Sequence, residues 1–520
     1  MSVDGGHWIH ALLEWMRGEA DTGSAAPEMV QVGLNEASAV DLESCLNVFE
    51  HQLADLPVEH DRFRVLTQLI AARTHTILSD EAFEESSCLE ADALARLYER
   101  LMELESSDAA AHCLQGLAFQ ADDESMEVLA ACLTESPPSS WEQTGVALSP
   151  LWNAPYEKLQ HFYEALSDGF IQPTTMTVLL DLANYTFRES PEREHLLTPN
   201  SKQLGELLDS VIGRLGHLER EPSRFGDSVE EVQQALNESV ALSVSLCDAM
   251  GLIQDTQAGV PLRKAMDLSH RRIQTEAAGA LARLGEKDGK HRLLELAKDS
   301  AARLRAVTYA DELGFADEVD AEYRHPGALA ESQLSSWLAA PDQFGFQPQK
   351  IELVDDRTQY WPSFEEPQHC FLFRFEYQLP DLNISNIGIA GPLCQSFQAD
   401  LGNLPVEDIY AAFAGWQAEH DEIFEVPASQ LNAAQRIEVE RMEQFLQGLG
   451  YDVDEHVAFA LFFGETSLVT YLVKDETRFC AVTDGQELVC FPVTDHPASM
   501  TPEVVLCLFR GRKLLRTFNP

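Results

Sequence analysis

Arg272 to Gly285 reads RIQTEAAGALARLG, and Ala301 to Gly314 reads AARLRAVTYADELG. The two align without a gap at an offset of 29 residues, and each ends in Leu-Gly. That offset fits one helix pair with its turns, which predicts stacked helical hairpins. In the first copy Ile273, Ala277, Ala280, Leu281 and Leu284 follow one another at helical spacing and form a single apolar stripe. Ala277, Ala278, Gly279 and Ala280 keep the helix thin, so a neighbour can approach closely. Gly285 is placed to end it in the left-handed region. Asp288 and Gly289 are expected to turn the chain into a second helix carrying Leu293, Leu294, Leu296 and Ala297. Ala302, Ala306, Tyr309, Ala310 and Leu313 repeat the first stripe.

Helical periodicity extends well upstream. Trp8, Leu12, Trp15 and Met16 share one side of a short N-terminal helix, followed by a polar linker to about residue 29. Phe63, Leu66, Leu69, Ile70, Arg73 and Ile77 keep close to a 3.6 period, as do Leu94, Leu97, Tyr98 and Leu101. Pro137 and Pro138 interrupt this series, and residues 190–201 read as a loop. Long helices are predicted over 204–218 and 229–252. The segment 30–335 therefore reads as an irregular α-helical solenoid, in one part or in two divided near 190–228.

From Trp337 the pattern changes. Cys370 to Tyr377 (CFLFRFEY) predicts a strand, and Ile351 to Val354 and Ser385 to Ala390 predict two more. Two helices follow over 405–420 and 432–449. Four apolar runs begin at Ala458, Leu468, Phe479 and Leu488, with Asp484-Gly485 as a hairpin turn. Val504 to Phe509 fits a strand or a short helix. Residues 340–520 thus read as an α+β domain with a mostly antiparallel sheet.

The formal charge is -50, from 36 Lys and Arg against 86 Asp and Glu. Residues 1 to 157 contain 29 Asp or Glu, six Arg and no Lys. Such a field repels nucleic acid and anionic lipid, so neither is expected as a partner. Residues 263 to 305 run the other way, with 11 Lys or Arg against six Asp or Glu. Arg271, Arg272, Arg283, Lys287, Arg292, Arg303 and Arg305 are the candidate partner-binding residues of this stretch. Neutralising acidic neighbours within the chain is the simpler role for them. The ten cysteines form no CxxC pair, and most lie in apolar runs, as buried thiols of a reducing cytoplasm do. No signal peptide or membrane span is read.

The AA-x-AL-x-x-LG pattern of Ala277, Ala278, Ala280, Leu281, Leu284 and Gly285 resembles the short HEAT-like repeats of the phycobilisome-lyase type. The second copy departs from it, with Val307, Thr308 and Tyr309 at the Ala278, Gly279 and Ala280 places. The resemblance covers about 266–315 and implies stacking and partner binding. It carries no lyase activity over, and bilin attachment or isomerisation is only a third reading.

No catalytic set, metal centre or cofactor motif stands out. Asn386 to Pro392 (NIGIAGP) is the most suggestive segment, because glycines after a strand can offer backbone N–H groups to an anion. Asn386, Gly388 and Gly391, with the aromatic turn Tyr360-Trp361, are the candidate ligand-binding residues. A structural turn is the competing role for each. Asp408, Glu419, His420, Asp421, Glu422 and Glu425 crowd another helix end without HExxH spacing. Arg510, Arg512, Lys513 and Arg516 are expected to contact the chain's own acidic surface. The reading is a protein-interaction scaffold. The alternative is an enzyme or small-ligand module in the C-terminal domain.

Overall fold

The computed structural model describes residues 5–18, 25–53, 60–79, 89–166, 172–226, 228–340, 342–379, 382–419, 424–462, 464–494, 496 and 498–519. The chain divides into two compact units, Met1–Leu293 and Leu294–Pro520. The division falls inside the helix Lys287–Leu296, so the two repeat copies belong to different units.

The first unit is α-helical. His60–Leu78, Ser107–Gln120, Trp141–Leu148, Pro173–Glu189, Val229–Ile253 and Arg271–Arg283 form one layer, each packed on the next. Ala39–Gln52, Ala91–Glu103, Asp123–Glu135 and Tyr156–Ala165 follow one another in a second layer, and Ser201–Arg220 packs on Gly259–Met266. No single hairpin can cover both of its apolar faces. Stacking does so, at roughly 25 cal/mol per Å2 of apolar area removed from water. The N-terminal stripe behaves as its spacing predicts: Trp8, Leu12, Trp15 and Met16 are all buried. Val229–Ile253 is long and apolar enough to cross a bilayer, yet its residues from Ser239 to Leu252 are almost all buried among the other helices.

The small-residue helix packs as its composition requires. Ala277, Ala278, Ala280 and Leu281 are buried, and a Cβ added to Gly251 would lie 2.9 Å from the Ala280 Cα. Gly285 and Gly314 both adopt positive φ, 81° and 75°. Behind them the Glu286 N–H donates to Leu281 O at 2.9 Å, and the Phe315 N–H donates to Ala310 O at 2.8 Å. These are the closing bonds of a Schellman ending. The same bond joins Ser106 to Leu101 behind Glu105 and Tyr451 to Leu446 behind Gly450. The Leu-Gly signature is therefore a helix-ending device used outside the repeat as well. Gly289 does not turn the chain. It lies in the first turn of Lys287–Leu296, where a Cβ would meet Ala278 O at 2.5 Å, and so seats that helix against its predecessor.

The second unit opens with the helices Arg303–Glu312, Ala321–Arg324 and Pro326–Leu338. It then carries two antiparallel sheets where a single mostly antiparallel sheet was expected. The first has the order β1 (Lys350–Gln359), β2 (Gln368–Leu379), β3 (Leu382–Ala390), β4 (Gln395–Ser396). The second has the order β5 (Phe424–Pro427), β6 (Asp452–Phe462), β7 (Glu465–Lys474), β8 (Thr477–Thr483), β9 (Leu488–Pro492). Three further helices are Val406–Glu419, Ala433–Gly448 and Pro502–Phe518. The last replaces the short element expected near Val504.

These elements form five layers. In β2, Phe371, Phe373, Phe375 and Tyr377 face Ala330, Leu334 and Leu338 of the helix Pro326–Leu338. Cys370 and Leu372 point the other way, into a core shared with Tyr410, Phe413, Val505 and Leu508 of two central helices. Val469, Cys480 and Val482 of the second sheet close that core from its far side. Phe459, Leu468, Leu472 and Ala481 face the helix Ala433–Gly448. The helix Pro326–Leu338, read from sequence near the end of the solenoid, is thus the outer cover of the first sheet. The unbroken apolar run Cys370 to Phe373 in β2 fits the cover on both of its faces.

The layering reveals a repeat in architecture. Helix, β1–β4 and helix Val406–Glu419 are followed by helix Ala433–Gly448, β6–β9 and helix Pro502–Phe518. At an offset of 96 residues Glu407, Phe413 and Gly415 match Glu503, Phe509 and Gly511.

Candidate functional site

The proposed ligand residues are taken up by packing. Asn386 to Ala390 are the buried end of β3, not a free loop. The Asn386 side-chain amide donates to Phe397 O at 2.7 Å and Ala399 O at 3.1 Å, and its carbonyl oxygen accepts from the Ile387 and Leu401 N–H groups. Three of these four bonds pin the segment after β4, and the fourth stays within β3. Gly388 lies under the helix Pro326–Leu338, where a Cβ would stand 3.0 Å from both Leu334 methyls. Gly391, at φ 115°, turns past His369, whose carbonyl oxygen would be 2.2 Å from an added Cβ.

Trp361 is fully buried in the central core, and its indole N–H has no hydrogen-bond partner among the described residues. Tyr360 stacks on Phe518 with ring centroids 4.5 Å apart, and its N–H donates to Asn519 Oδ1 at 2.6 Å. The aromatic turn therefore fastens the C-terminal end of the chain. Cys370 is buried, and burial pushes its thiol up to about 12, which suppresses the nucleophilic thiolate.

The basic candidates sort by exposure. Arg303 is buried: its guanidinium donates to Ala297 O, to Ala328 O and to Glu331 at 2.9 Å. Arg305 lies over the Tyr309 ring at 4.3 Å and 3.9 Å from Glu312. Arg283 is largely covered and 3.8 Å from Asp248, while Arg292 donates to Gln274. Arg271, Arg272 and Lys287 are exposed. Nearby Arg263 reaches Glu286 at 2.8 Å and Lys264 reaches Asp209 at 2.5 Å. Much of the positive charge in this stretch is therefore matched within the chain.

A buried polar network that periodicity did not reveal joins the helices Pro173–Glu189 and Val229–Ile253. The Leu197 N–H donates to His195 Nδ1 at 3.2 Å, which leaves Nε2–H to donate to Asn184 Oδ1 at 3.0 Å. Asn184 donates in turn to Ser245 O at 3.1 Å. Arg188 meets Asp248 at 2.5 Å. Burial lowers the His195 imidazole to about 4, so it is neutral at pH 7. The signal available in the sequence was His195 midway between Pro191 and Pro199, in the segment 190–201 that reads as a loop.

The terminal basic residues pair as expected. Arg510 meets Glu425 at 2.8 Å, Arg512 grips Asp408 at 2.6 and 2.7 Å, Lys513 reaches Asp484 and Glu465, and Arg516 reaches Glu487 at 3.0 Å. His420, Asp421 and Glu422 lie outside the described residues. Among the described residues no group of three His, Cys, Asp or Glu side chains is placed to hold a metal ion. One open groove of about 480 Å3 runs between the helices Asp123–Glu135 and Tyr156–Ala165, lined by Glu127, Glu135, His161 and Glu164. A smaller one is lined by Glu443, Asp452, Asp454, Glu455 and His456.

No family model, curated protein or solved structure matches this chain.

Proposed function

We propose that this chain is a cytoplasmic protein-interaction scaffold whose helical unit presents a surface to a protein partner. The observation that carries this reading is the two-layered packing of successive helices in residues 28–283, an arrangement suited to presenting long helix faces. Arg271, Arg272 and Lys287, exposed in an otherwise acidic chain, are the residues assigned to partner contact. Arg303 and Arg283 are assigned to the fold instead. A ligand-binding role for the C-terminal domain gains no support from Asn386, Gly388, Gly391 or Trp361, since packing and internal hydrogen bonds already account for them.

The test is native co-purification with mass spectrometry at low and high salt, using the parent chain beside Arg271→Glu/Arg272→Glu/Lys287→Glu. A protein recovered with the parent at low salt and lost with the variant is the expected result. Equal recovery with both would remove the basic stretch as the contact. Failure to recover any protein at either salt would overturn the scaffold reading.

A further inference from the structure

The two halves of the C-terminal unit differ in one respect. In the second half, β5 sits on the outer edge of β6, pairing Phe424 with Leu461, Val426 with Phe459 and Pro427 with Ala458. Alternate side chains of this short strand face opposite sides, as strand geometry requires. Val426 is buried with Met442 and Phe459 beneath the outer helix, and Glu425 reaches the buried Arg510 of a central helix. In the first half, β1 occupies the place of β6. Among the described residues β1 pairs with β2 alone, and no described strand covers its other edge.

That edge is protected only in part. The register slips between Leu353 and Asp355, a bulge of the kind that discourages strand addition. β6 slips twice as well, at 453/455 and 456/458, and takes β5 immediately beyond its second bulge. The corresponding seat on β1 begins just after its bulge, at Asp355 to Thr358. Leu353 and Val354, at the bulge itself, are 51% and 40% exposed, so apolar surface lies next to the open edge.

We infer that the outer edge of β1 takes up a short extended segment of a basic partner protein as an added strand, in the place that β5 fills on β6. Backbone pairing supplies the contact, and alternate apolar side chains of the segment cover Leu353 and Val354. Charge selects the occupant. Asp355 pairs with Arg357 at 2.8 Å and Asp356 with His369 at 2.9 Å, so the charges of the seat itself are largely matched. The chain as a whole, at a formal charge of -50, favours a basic occupant and opposes a second copy. A segment that alternates aliphatic residues with Lys or Arg meets both conditions. This inference is independent of the helical face proposed above, because it concerns residues of the other unit.

The probe is a fluorescein-labelled heptapeptide, KTVKVTK, titrated into the full chain by anisotropy, beside a twin N-methylated at alternate residues. Saturable binding of the plain peptide is expected, weaker by about tenfold for the twin, which cannot complete the ladder. Leu353→Lys/Val354→Lys should weaken the plain peptide similarly. Both positions are exposed, and an unchanged melting temperature will show that this variant folds. Amide exchange over residues 353–358 should slow on binding. The inference is overturned by absence of saturation, by equal binding of the two peptides, by equal binding to the variant, or by a dimer in sedimentation that protects the same amides.

Discussion

A Cβ added to Gly511 would lie 1.7 Å from the carbonyl oxygen of Ala411. The relationship is reciprocal: a Cβ on Gly415 would lie 1.8 Å from the carbonyl oxygen of Cys507. Residues 411 and 507, like 415 and 511, are separated by 96 positions. The two central helices therefore cross through the same pair of positions in each half, as a two-fold relation between the halves requires. Backbone meets backbone at the crossing, and no side-chain rotation can make room.

Gly511→Ala is accordingly expected to cost about 3 kcal/mol or more, because overpacking here has to move a helix. Gly213→Ala is the contrast. Nothing lies within 4 Å of its added Cβ in the helix Ser201–Arg220, so it should stabilise by roughly 0.5–1 kcal/mol. Urea melts of both variants check the pair of signs.

Ala280 and Gly251 form a comparable close contact in the helical unit. Ala280→Glu should lower stability by roughly 3 kcal/mol, since it adds bulk and a charge at a buried site. Gly251→Ala should cost about 1–2 kcal/mol, and Ala280→Gly in the same chain should recover part of that. A double-mutant cycle with no coupling would show that the two helices do not touch there.

Stability should depend on His195 in mild acid. Its folded pKa is lowered to about 4 from the ordinary 6.5, so the unfolded chain binds the extra proton first as pH falls. The contribution is fully present above pH 6.5 and is lost on the way down to about 4, with a ceiling of about 3 kcal/mol. His195→Gln should flatten this part of the stability profile relative to the parent, as read from urea midpoints between pH 7 and 4.5.

Arg303 and Lys287 were equivalent in sequence and are not in structure. Arg303→Gln removes a buried guanidinium from Glu331 and two backbone carbonyls and should cost about 2–4 kcal/mol. Lys287→Gln, at an exposed site, should stay within about 0.5 kcal/mol. Thermal melts separate the two, and a loss of partner recovery with Lys287→Gln alone would then report on contact, not folding.

Periodicity by itself determined the helical stripes, the thin Ala277–Ala280 face and the left-handed end at Gly285. Each depends on local spacing or on one residue's backbone freedom. It also marked β2 as an apolar strand. Tertiary structure alone decided that β2 is covered on both faces, that two sheets share one pair of helices, and that Asn386 and Arg303 are held inside the fold. These depend on residues brought together from distant parts of the chain, which spacing does not encode. The 96-residue match of Glu407, Phe413 and Gly415 to Glu503, Phe509 and Gly511 was legible but too sparse to interpret. Its meaning rests on the helix crossing, where lack of a side chain, not presence of one, is what the fold requires.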